Sequence, residues 1–161
     1  MGPAVVGDGR RVRPAPRRLL AVLLLLYAAA SLLHFVHNAE FLASYPHLPA
    51  AWTRAEVYAA WLGMTAVGLT GWILLVRGLP RTGLAFLVAY GALGLDSLGH
   101  YMVAPLSAHS LAMNASILSE VAAAAILLIY LGRLLSSGIL SRASDVNGAQ
   151  VTAVRTRVRP R

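Results

Sequence analysis

The chain has 161 residues, which suits one compact domain, and 58% of them are hydrophobic while only 12% are charged, against roughly 45–50% and 25% in soluble domains. So much apolar surface cannot be hidden in a water-soluble core of this size, and the lack of cysteine excludes disulfides, thiolate metal sites, iron–sulfur clusters and covalently attached haem. The formal net charge is +8 and every basic residue is arginine; these arginines sit in the flanks and beside apolar runs without aromatic interleaving, which fits membrane topology and anionic lipid headgroups and excludes nucleic acid as the expected partner.

Residues 1–17 are rich in Gly, Pro and Arg and form a basic tail. A first span of about 20 apolar residues is expected from Leu19 to Leu42. Its start, RRLLAVLLLLYAAAS, resembles a secretory signal, with Ala28-x-Ala30 before Ser31, but apolar character continues to Leu42 and favours an uncleaved span. SYPHLPAAW (Ser44–Trp52) supplies two prolines and two interfacial aromatics, and a second span follows from Ala55 to Val76. RGLPRTG (Arg77–Gly83) is a tight turn into a third span, Gly83–Val103. APLSAHS (Ala104–Ser110) breaks the helix at Pro105 and offers a serine cap to a fourth span, Leu111–Leu135. Residues 136–161 are polar and basic without apolar period, and read as a disordered tail.

The expected architecture is all-α: an integral membrane four-helix bundle over residues 18–135. The runs are too long and too uniform for strands, and backbone groups in lipid need internal partners. Thirteen of the fourteen arginines fall in the two flanks, the second loop or the end of the fourth span, leaving only Arg54 on the other side. The positive-inside rule then puts both termini in the cytoplasm, with the plasma (inner) membrane as the expected location.

The polar residues are not spread evenly. At 1.5 Å per residue, His34 lies about 12 Å below the outer end of the first span, Asp96 about 10 Å below that of the third, and Glu120 about 14 Å below that of the fourth. His37, Asn38, His100 and Asn114 lie nearer that surface. Residues three or four apart share a helix face. The first span then presents Tyr27, Ser31, His34, His37 and Asn38; the third Ala89, Ala92, Asp96, Gly99 and His100; the fourth Met113, Ser116, Glu120 and Ala124. The second presents Ala59, Ala60, Gly63, Thr70 and Gly71. Small residues mark helix contacts in lipid, so these faces are expected to point inward.

An intramembrane charge costs about 2.5–3.5 kcal/mol on insertion scales, and no arginine lies mid-span to neutralise Asp96 and Glu120. The leading expectation is therefore a divalent metal. His34, His37, Asp96 and His100 would be its ligands, Glu120 a catalytic base acting on metal-bound water, and Asn38, Asn114, Ser116 and Tyr27 would line the pocket. Three nitrogens and one or two oxygens suit Zn²⁺ or non-haem iron; b-type haem is disfavoured because the carboxylates have no purpose beside it. The alternatives are metal-free acid–base or proton-transfer chemistry on a small or lipid-like substrate, and a purely structural polar network. His47 reads as a solvated loop residue, His109 as a cap-region residue, and Glu56 as a surface pair with Arg54 or a dipole partner at a helix start.

Overall fold

Apolar runs longer than twenty residues leave the backbone no hydrogen-bond partner in lipid but its own helix. The computed structural model describes residues 15–48 and 51–137. Within them α1 is Ala15–Glu40, α2 Arg54–Val76, α3 Pro80–Leu95, α4 the single turn His100–Val103, and α5 Leu111–Ser137; no strand occurs among the described residues. A 3-10 turn, Asp96–Gly99, joins α3 to α4. Four segments, Arg17–Glu40, Arg54–Val76, Pro80–Val103 and Leu111–Ser137, are long and apolar enough to cross a membrane. The expected tails lie largely outside the described residues; α1 already includes residues 15–17 and α5 runs on to Ser137.

Local chemistry explains where the helices start and stop. Thr53 caps α2 through a reciprocal box: its hydroxyl accepts from the Glu56 amide, and the Glu56 carboxylate accepts from the Thr53 amide at 2.7 Å. Gly78 takes a positive φ of 84° after α2, and Pro80 opens α3, where no amide is required of it. Arg54 does not pair with Glu56. Its guanidinium reaches back to Glu40 at 2.7 Å, and the Tyr58 hydroxyl donates to the same carboxylate at 2.8 Å. These contacts tie the end of α1 to the start of α2 across an exposed surface.

The long helices pack as a four-sided bundle in which α1 and α3 each touch both α2 and α5. One end carries Arg17, Arg18, Arg77, Arg81 and Arg133, and is called the arginine end. The other, the histidine end, is closed by the 41–53 and 104–110 connections. Leu20, Leu75, Leu84, Leu87, Leu127 and Leu131 fill the arginine half. A smaller cluster, Tyr45, Met113 and Ile117, closes the histidine end. Ser31, His34, Ser116 and Glu120 are buried on α1 and α5 between the leucine-rich half and the histidine end.

The α1 and α5 faces that turn inward agree with the spacing: Tyr27, Ser31 and His34 on α1, and Met113, Ser116, Glu120 and Ala124 on α5, are all buried. The other two faces differ from expectation. On α2 the buried residues are Val57, Gly68, Gly71 and Leu75, while Ala59, Gly63 and Thr70 are exposed. On α3 they are Gly83, Leu84, Leu87, Tyr90, Gly91 and Gly94, while Ala89, Ala92 and Asp96 are exposed. Both helices are apolar all round, so hydropathy does not mark the inner side, and selected glycines do. A Cβ on Gly83 would lie 2.7 Å from the Leu75 amide nitrogen and 2.8 Å from the Gly71 carbonyl oxygen. A Cβ on Gly94 would run into the Tyr27 ring.

Gly83→Ala should therefore destabilise the bundle by about 1–3 kcal/mol, because rigid backbone and not a movable side chain stands in the way. Gly63→Ala, with nothing within 4 Å of its added carbon, should cause no loss. Thermal or denaturant unfolding of the two variants in detergent checks the contrast.

Candidate functional site

The polar layer is assembled from three helices and one turn. His34, 1% exposed, and Glu120, 0% exposed, face one another with Nε2 and Oε2 3.8 Å apart. Ser97 Oγ donates to the same Oε2 at 2.6 Å. Ser31 lies alongside the carboxylate, but its Oγ and Glu120 Oε1 have no hydrogen-bond partner. On the other side of the imidazole, His34 Nδ1 meets Ser116 Oγ at 3.3 Å, and Ser116 Oγ donates its own hydrogen to the Met113 carbonyl at 2.9 Å.

That last bond determines the tautomer. The Ser116 proton is already committed to a carbonyl, so the hydroxyl can only accept from the imidazole, and Nδ1 of His34 carries hydrogen. Nε2 of a neutral His34 is then a lone pair aimed at a carboxylate oxygen. Two acceptors facing each other in a buried, low-dielectric site repel. A proton on either Nε2 or Oε2 removes the conflict, so the pair is built to hold one proton between two bases.

Around this pair stands a ring stack. The His100 ring packs edge-on against His34 with centroids 5.4 Å apart, and Tyr45 lies 5.0 Å from His100. Asn38 Nδ2 donates to His100 Nε2 at 3.4 Å. His37 turns away from His34: its Nδ1 meets the Tyr45 hydroxyl at 2.9 Å, and its ring lies against Phe41 at 4.8 Å. Burial pushes the Tyr45 phenol above its ordinary pKa and keeps it neutral. His109 is buried, with Nδ1 donating to the Pro105 carbonyl at 3.1 Å and its ring 6.2 Å from His100. A cleft of about 300 Å³ opens between α1, α2 and the α3–α4 span; His34, Asn38, Asp96, Ser97 and His100 supply its polar wall.

The expected metal ligands are gathered only in part. His34 and His100 adjoin, and Asp96 reaches the cleft wall, but His37 is engaged elsewhere. Among the described residues no three His, Asp or Glu side chains converge as a metal cluster would. The described side chains thus present no converged donor set for Zn²⁺ or iron. Asp96 is not on the inward face of α3: helical spacing from Leu87, Tyr90 and Gly94 puts it on the far side and Ser97 near the inner one. Ser97 takes the inward position at Glu120. Of the expected lining residues, Asn38 and Ser116 serve at the site. Tyr27 lies beneath it, fully buried, donating to the Tyr90 carbonyl at 3.1 Å. Asn114 instead pins the 104–110 connection: it donates to the Leu106 and His109 carbonyls and accepts from the Tyr101 hydroxyl. Ser97 and Tyr45 were not among the sequence candidates. A serine beside a mid-span aspartate was the available signal for the first; nothing in the spacing marks the second.

Comparison with protein-family models, curated proteins and solved structures gives no match.

Ser116→Ala should free the Nδ1 hydrogen of His34, shift the ring toward the Nε2–H tautomer, and cost about 1 kcal/mol for the lost acceptor. Nitrogen chemical shifts of labelled histidine report the tautomer directly.

Proposed function

We propose that this is a four-span integral membrane protein with both flanks cytoplasmic and a metal-free acid–base site in the outer leaflet. The arginine end supports the orientation, since the positive-inside rule puts Arg17, Arg18, Arg77, Arg81 and Arg133 at the cytoplasmic face, where they meet anionic headgroups. The observation that carries the chemistry is the His34–Glu120 pair: two titratable side chains, both buried, with Nε2 and Oε2 3.8 Å apart.

His34 faces the cleft and Glu120 stands behind it. Once the pair has given up its shared proton, it takes one from an acidic C–H or O–H of a substrate in the cleft, and the carboxylate, held by Ser97, stabilises the imidazolium that forms. The proton returns by the same route to a different atom of the substrate or to water. Asn38 and His100 offer hydrogen bonds for a carbonyl or hydroxyl in the same wall. Proton transfer on a small or lipid-like substrate, such as an isomerisation, needs no more than these groups. A purely structural network is a poorer account, since hydrogen bonds within membranes average only about 0.6 kcal/mol, too little to repay a buried carboxylate.

Infrared titration of the protein in lipid nanodiscs tests the pair. One carbonyl band of a protonated carboxylic acid should disappear in Glu120→Gln, and its titration midpoint should move in His34→Gln. A Glu120 that ionises with the same midpoint whether or not His34 is present would overturn the reading.

A further inference from the structure

The seam between α1 and α2 holds a second cleft directly below the first. Its volume is about 370 Å³, and its walls are almost wholly apolar: Ala21 and Ala28 of α1, Thr65, Gly68 and Trp72 of α2, with Tyr90 of α3 at the floor. The two clefts meet along α2, where Met64 lines the upper and Thr65 the lower. On α3 they are one turn apart, at Leu93 and Tyr90. From Val57 to Trp72 the common wall is about 22 Å long. Leu25 and Leu69, at the edges of the lower cleft, are exposed at 71% and 57%, so it opens sideways. At the histidine end the way in is bridged by the Glu40–Arg54–Tyr58 contacts and roofed by Leu42, Leu48 and Trp52 of the 41–53 connection.

We propose that the two clefts form one site for a single amphiphile that enters from the bilayer side, its head beside His34 and its one linear or isoprenoid tail in the lower cleft. This rests on the acid–base reading of the His34–Glu120 pair and names the substrate class for it. The order of the walls carries the inference: polar groups at the histidine end, apolar below, along one continuous seam, in the order in which a lipid of the outer leaflet lies. The charges define the head. Asp96 stands at the upper cleft and Glu120 behind it, and among the described residues no arginine lines either cleft. An anionic head is repelled, whereas an uncharged carbonyl or hydroxyl finds Asn38, Ser97 and His100 as hydrogen-bond partners. The single tail follows from the width: the Gly68 side of the groove is closed by the Tyr90 ring, which a Cβ there would strike at 2.6 Å.

The test uses long-chain primary alcohols carrying bromine on the terminal carbon or beside the hydroxyl, added to the full chain in phosphatidylcholine nanodiscs. Tryptophan quenching reports where each bromine sits: Trp72 alone in a Trp52→Phe/Trp61→Phe variant, Trp52 alone in a Trp61→Phe/Trp72→Phe variant. Saturable quenching of Trp72 by the terminal bromine and of Trp52 by the head-side bromine is expected, with loss of the Trp72 component in Ala28→Phe and a partial loss in the milder Ala28→Leu. A bromoalkane without the hydroxyl that saturates Trp72 identically overturns the proposal, because the groove then takes any chain. So does a terminal bromine that quenches Trp52 and spares Trp72. Either result alongside an intact His34-dependent titration of Glu120 removes the amphiphile and leaves the acid–base site standing; loss of that titration removes the site itself.

Discussion

A carboxyl group with no exposed surface, set among leucines and out of reach of any described arginine, is the constraint from which the rest of this structure follows. Glu120 can be accommodated only by hydrogen bonds and a proton, and each neighbouring feature supplies one of these. Ser97, on the Asp96–Gly99 turn, donates to Oε2. Ser116 orients the imidazole by presenting an oxygen whose own hydrogen is already engaged. The imidazole then offers a second place for the proton. Removing any one of these leaves a buried polar atom without a partner, which is why side chains from α1, the α3–α4 turn and α5 must be held in register.

The register comes from packing in the other half of the molecule. There the backbones of α2 and α3 approach through Gly71 and Gly83 too closely for any side chain, and Gly91 admits Leu128 of α5. The contact at Gly83 is rigid because what a side chain there would meet is backbone. The histidine half is looser: α1 and α2 part enough to leave the polar cleft, and an exposed Glu40–Arg54–Tyr58 group bridges them at the rim. A stiff half thus positions the polar groups of an open half.

Four spans, their boundaries and the inward faces of α1 and α5 were legible because each rests on a strong local signal: long apolar runs, Pro and Gly at the turns, and polar residues at helical spacing along an oily run. The faces of α2 and α3 were not, because helices apolar on every side give period no contrast; Ala59, Gly63 and Thr70 have the small size that marks a contact yet lie outside it. The candidate site was half legible. His34, Asn38, His100, Ser116 and Glu120 were marked by chemistry in an apolar setting. The true inner face of α3, carried by Leu87, Tyr90 and Gly94, puts Ser97 and not Asp96 beside Glu120. The metal expectation followed from counting ligand atoms; the orientation of each imidazole, decided by Tyr45 for His37 and by Ser116 for His34, lies beyond any count.

Tyr27 has a consequence of its own. Its ring fills the space that Gly94 leaves, and its hydroxyl is engaged by the Tyr90 carbonyl, so α1 and α3 are locked together directly beneath the His34–Glu120 pair. A smaller residue in place of Tyr27 would open a void under the pair and loosen the level at which His34 and Glu120 meet.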